Sequence, residues 1–265
     1  MPRLRPLVLL GLIAAAAGLT AAPAAGQRDG RGDRPNPERG EGPGPRQSFA
    51  NPSAVIAAEL AFARDAAQRG QWTAFAAAAA PDAVMVVPQL VWAQQWLKGR
   101  ANPPAALRWQ PAEVWSSCDG MLIVSHGRWQ AGTGSGGGWF TTLWQRQFDG
   151  SYRWVFDHGD DGAATGPEPD MIAAHVADCP PRPHRAEGGP DPRGNKRPKP
   201  PKPVAPRDLP PLDPARHAGA APDGSLRWEL VVAPDQSRTL TVTWRKDGAE
   251  APLLVERVAS PAHGG

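Results

Sequence analysis

The stretch from Gly137 to Asp161, GGWFTTLWQRQFDGSYRWVFDHGDD, decides the fold. Asp149-Gly150 lies between two runs rich in Trp, Phe, Thr and Val, and an Asp-Gly pair in that setting is the strongest short-range signal for a β-hairpin. The expected strands are Trp139 to Phe148 and Ser151 to Gly159. With a two-residue turn, Trp139, Thr141, Leu143, Gln145, Trp154, Phe156 and His158 share one face. Phe140, Thr142, Trp144, Arg146, Arg153, Val155 and Asp157 then share the other. Because Arg146, Arg153 and Asp157 all fall on the second set, the first is expected to face the core.

Upstream, Asp119-Gly120 marks a second hairpin, Pro111 to Cys118 with Met121 to Gln130, which sets Glu113 opposite His126. Before it come helical signals. Asn51 is a cap, Pro52 suits the first helical position, and Val55, Ala58, Glu59, Phe62 and Ala66 recur at helical spacing until Gly70. Gln71 to Ala80 reads as a second short helix stopped by Pro81, Ala83 to Val87 as a strand, and Val91 to Ala106 as a third helical turn or an irregular flap. Downstream, Ser225 to Val232, Arg238 to Arg245 and Pro252 to Val258 read as a β-meander, too small to be stable without docking on the main domain or a partner.

The flanks have a different character. Arg3 and Arg5, the apolar run Leu7 to Leu19 and the small residues to Ala25 follow the order of a secretory signal peptide, assigned to residues 1–24. That run is too short to span a bilayer, so no stable membrane insertion is expected after cleavage, and the expected location is periplasmic or secreted. Residues 25–50 lack apolar periodicity and read as a disordered spacer; the Arg31-Gly32-Asp33 triplet within them is a chance product of composition. Residues 181–216 form a Pro/Lys/Arg-rich linker. The net charge of +3 hides a split, because residues 51–180 carry eight basic against twelve acidic side chains while residues 181–216 carry nine against four. The basic charge thus sits outside the folded part, which argues against nucleic acid as a partner. An oxidising compartment leads to an expected Cys118–Cys179 disulfide, and two cysteines so far apart lack zinc spacing.

Two helices, a strand, an irregular helical piece and four long antiparallel strands resemble the NTF2-like, or SnoaL-like, superfamily. AFARDAAQRGQWTAFAAAAAPDAVMVVP from Ala61 to Pro88 and LRWQP from Leu107 to Pro111, with the Gly137 to Asp161 hairpin, are similar to the bacterial DUF4440-type families. The resemblance covers residues 51–180. It implies an α+β fold, a cone of curved antiparallel sheet over a helical layer, with the β-meander of residues 217–265 as an accessory. It also implies a pocket inside the cone, which some members use for isomerase, hydrolase or cyclase chemistry and many for binding alone.

The chemistry in this cone has few candidates. The ketosteroid-isomerase arrangement needs a Tyr in its oxyanion hole, and the single Tyr152 lies beside a turn. His158 is the candidate catalytic residue, a proton shuttle on the inward face. Asp157, on the other face, reads as an acceptor for turn amides. Glu113 and His126 offer two ligands and no third, so no metal is expected. Gly132 to Gly137 fits G-x-G-x-x-G but precedes a strand rather than a helix, so it reads as a hairpin loop and no cofactor is expected. Of 11 tryptophans, nine lie in the core domain, among them Trp92, Trp96, Trp109, Trp115, Trp129, Trp139, Trp144 and Trp154, where they either wall a cavity or fill the core. The expected pocket is Trp139, Thr141, Leu143, Trp154, Phe156 and His158. Three readings stay open: a module binding a small apolar or aromatic molecule without a convergent acid/base set, a homodimer through the free sheet face being an option; a SnoaL-like enzyme using His158; or an envelope interaction module.

Overall fold

The computed structural model describes residues 50–132, 136–162, 171–179, 205 and 208–260. The expected signal peptide, spacer and most of the linker lie outside these residues. Asn51 caps α1 (Pro52–Arg69), its side chain accepting the Ala54 N–H, and the buried stripe Val55, Glu59, Phe62 and Ala66 turns toward the sheet. Gly70, at φ 100°, lets the chain turn directly into α2 (Gln71–Ala78).

Strand β1 (Ala79–Val86) follows at once and runs through Pro81, earlier than expected. It pairs in parallel with β6 (Tyr152–Asp161), and an irregularity between Ala79 and Val84 accommodates the proline, which has no N–H to donate. The expected flap resolves into β2 (Leu90–Trp92) and α3 (Ala93–Leu97). Then come β3 (Arg108–Ser116), β4 (Leu122–Gln130), β5 (Gly137–Arg146) and β6, the two Asp-Gly hairpins. A short β7 (Ala173–Val176), which has no signal in the sequence, adds in parallel to β3. The fold is α+β, with a seven-stranded mixed, curved sheet in the order β2-β1-β6-β5-β4-β3-β7.

The C-terminal segment forms a second sheet of four strands, β8 (Arg216–Ala220), β9 (Leu226–Val232), β10 (Arg238–Lys246) and β11 (Ala249–Val258). It docks on the first. Leu226, Trp228, Leu230, Leu240 and Val242 pack with Trp115, Leu122, Val124, Leu143 and Phe156, while Val114, Ile123, Trp144 and Trp154 pack on the helical side. The large sheet is therefore covered on both faces, and the face expected to be free for a second copy is occupied by the chain's own C-terminal strands. The expected disulfide between Cys118 and Cys179 is present. It lies where the layers meet: the Cys118 N–H donates to Ser225 Oγ, and Asp119 and Asp223 each accept the other's backbone N–H.

Candidate functional site

Between the helices and the large sheet lies a cavity of about 320 Å³. Phe62, Trp72, Phe75, Trp109, Trp129 and Phe140 provide its aromatic wall, and Gln71, Thr142, Asp157, Asp160 and Asp161 its polar groups. A space of that size, apolar with a few polar groups, suits a small flat molecule.

The Asp149-Gly150 hairpin sets what faces it. Trp139 pairs with Asp160, Thr141 with His158 and Leu143 with Phe156, as a two-residue turn requires. Between Leu143 and Trp144 the register slips, so that Trp144 pairs with Trp154 and Val155 bulges. Trp139, Thr141, Leu143, Phe156 and His158 therefore share a face as expected, but Trp154 leaves it for the helical side. The inward assignment of that face is corrected. Leu143 and Phe156 pack against the second sheet, and the Thr141 hydroxyl donates to Glu256 at 2.6 Å. Charge misled because the large sheet has no solvent face, and the bulge puts Arg153 out of phase with Asp157. Phe140, Thr142 and Asp157, from the set expected outside, line the cavity.

His158 borders the cavity, yet its side chain has no exposed surface and is directed to the second sheet. Its Nε2 accepts from Arg238 Nε at 2.8 Å, which leaves the proton on Nδ1, 3.4 Å from Glu256 Oε2. Those two buried atoms have no hydrogen bond. Burial lowers the His158 pKa, so the imidazole is neutral at physiological pH. A ring so held is not placed to shuttle protons into the cavity. Glu113 and His126 are opposite each other as expected, but His126 Nδ1 lies 3.0 Å from Glu256 Oε1 and 3.0 Å from Thr141 Oγ1. Burial pushes the Glu256 carboxyl up, and its contacts with His126, His158 and Thr141 bring it below the ordinary value.

Asp157, expected on the outer face as an acceptor for turn amides, stands instead on the cavity. Asp157 accepts from Thr142 Oγ1 at 2.8 Å through Oδ2, and Oδ1 has no protein donor among the described residues. Burial pushes its pKa up to about 7, against the Thr142 hydrogen bond and helped by the nearby charge of Glu59. Glu59 itself is fully buried on α1 and accepts from Trp109 Nε1 (2.8 Å), Ser125 Oγ (2.6 Å) and Trp144 Nε1 (2.8 Å). Burial raises its pKa, while those three donors oppose the rise. Its one sequence signal was an acid on the apolar stripe of α1, where a charge needs partners. Arg238 and Glu256 had no signal, since they act across a layer boundary that strand patterns do not reveal.

The chain matches no protein-family model and no curated protein. Among solved structures it is similar to a putative ketosteroid isomerase from Parabacteroides distasonis, at 12% identity and a TM-score of 0.35, over 46% of this chain and 100% of that one.

Proposed function

We propose that this is an exported protein of the NTF2-like kind that binds a small, flat, apolar or aromatic molecule in its cavity and exchanges a proton with it through Asp157. The observation that carries the reading is a carboxyl group with one oxygen held by Thr142 and the other left to an aromatic-walled space. Such a group, pushed up to about 7, is close to equally acid and base at neutral pH, where general catalysis is most effective. A polar contact partly shielded from water by the rings is stronger than the same contact in bulk solvent. The Cys118–Cys179 disulfide supports the exported setting. The proton-transfer role that the sequence points to at His158 falls in this reading to its neighbour on the opposite face.

The test uses 5-nitrobenzisoxazole, a flat aromatic probe. A carboxylate takes its ring C–H proton as the N–O bond breaks, and a coloured cyanophenolate results. The protein is expected to turn this probe over with a rate that rises with pH around the Asp157 midpoint of about 7. Asp157→Asn should lose roughly 100-fold or more of that rate while probe binding persists. Equal turnover by the two proteins would remove Asp157 from the reaction.

A further inference from the structure

The second sheet does more than cover apolar surface. Thr142 and Asp157 are register partners on the cavity face, and the next pair along, Thr141 and His158, points the other way into the boundary between the sheets. Two side chains from the second sheet hold that reverse side. Arg238 of β10 spans two successive residues, donating from Nε to His158 Nε2 at 2.8 Å and from Nη2 to the Gly159 carbonyl at 3.0 Å. Glu256 of β11 accepts from the Thr141 hydroxyl at 2.6 Å and meets His126 of β4 at 3.0 Å. The residues beside both members of the Thr142–Asp157 pair are thus fixed from behind.

From this geometry we infer that the C-terminal sheet is the rear clamp of the cavity carboxyl, with Arg238 and Glu256 as positioning residues for Asp157. The inference rests on the reading of Asp157 as the proton-transferring group. Neither residue touches the cavity, so they act only through the backbone and side chains that they hold. The forked guanidinium makes two bonds to consecutive residues, and an ammonium cannot span both in the same geometry. Charge alone has a different signature. Asp160 of β6 and His158 are the ionisable groups that act on or bond Arg238, Glu256 faces His126 and His158, and Glu59 of α1 is the charge that acts on Asp157 itself. A distant positive charge favours ionised Asp157, so losing it would raise the midpoint. Losing the clamp does the opposite, because a loosened β6 admits water and relieves the burial that holds the carboxyl up.

The experiment is a carbon-13 NMR titration of the Asp157 carboxyl in the full-length wild type, Arg238→Lys and Arg238→Gln, with the Trp144 indole N–H resonance marking the folded molecules. The clamp predicts that both variants lower the midpoint by about one unit or more, and that turnover of 5-nitrobenzisoxazole loses kcat more than KM. A midpoint unchanged in both variants overturns the clamp, even if both melt earlier, since a merely structural role leaves the folded carboxyl where it was. A rise in Arg238→Gln with no change in Arg238→Lys also overturns it, because only the charge would then matter. A wild-type midpoint in the ordinary carboxylate range overturns the reading of Asp157 and with it the clamp, and that outcome is distinct from the other two.

Discussion

Two carboxyl groups lie on the helical side of the large sheet, Glu59 buried and Asp157 half-buried at the cavity, and their hydrogen bonds divide the work between them. Glu59 spends both oxygens on two indoles and a hydroxyl, so it ties α1 to β3, β4 and β5. Glu59→Leu would leave the Trp109 indole N–H without its acceptor and reduce Trp144 and Ser125 to their longer bonds, to Ser125 Oγ at 3.1 Å and the Thr142 carbonyl at 3.4 Å, a loss of about 2 kcal/mol to be read from urea unfolding. Glu59→Gln, which keeps an acceptor oxygen, should lose less; equal stability of the Leu variant and the wild type would contradict the anchor. Asp157 is held by one hydroxyl only. Its folded pKa of about 7 lies above the unfolded value of 3.8, so the folded state binds the extra proton between them. Its contribution to stability is present below the unfolded value and is lost as pH rises through about 7. That slope is worth about 4 kcal/mol at most. Asp157→Asn should remove it, gaining in Tm relative to wild type more at pH 8 than at pH 4, and parallel melting curves across pH would count against a raised Asp157.

At the scale of elements, the two Asp-Gly turns gave part of the register of each hairpin, including Glu113 opposite His126 and Thr141 opposite His158, but not Trp144 opposite Trp154 or Pro111 opposite Gly127. What strand patterns do not carry is the bulge. Residues slip at Val155 in β6 and at Ala112 in β3, where Pro111 pairs with Gly127 and Glu113 with His126. Each slip exchanges the faces beyond it, which is why Trp154 reached the helical side. The β3 slip has its own sequence requirement. A Cβ on Gly127 would lie 2.1 Å from the Gln110 carbonyl oxygen and 2.8 Å from Pro111 Cα, both backbone atoms. Gly127→Ala is expected to cost at least about 2 kcal/mol in chemical unfolding, and a neutral effect would mean that the strands at the bulge can separate freely.

The described residues form three layers: helices, large sheet and second sheet. The α+β class and the C-terminal meander were legible because turns, caps and apolar alternation are local. The face that meets the cavity was not, because it depends on which layer covers which side. A meander too small to stand alone was the hint that it docks, yet nothing in its alternation tells where. The disulfide is placed at this junction, closing 61 residues of chain beside the Ser225 and Asp223 contacts. Replacing Cys118 and Cys179 by Ser should lower stability by about 2 to 4 kcal/mol, measured by thermal melting against the oxidised wild type. An unchanged Tm would mean that the junction is held without it.

The Asp157 carboxyl sits half-buried between an aromatic wall and a strand held from behind by the second sheet. The carbon-13 titration of Asp157 in the wild type, assigned by the signal that Asp157→Asn removes, measures this directly. The account predicts a midpoint near the value of about 7. A midpoint close to 3.8, the ordinary value for an aspartate in water, would contradict it.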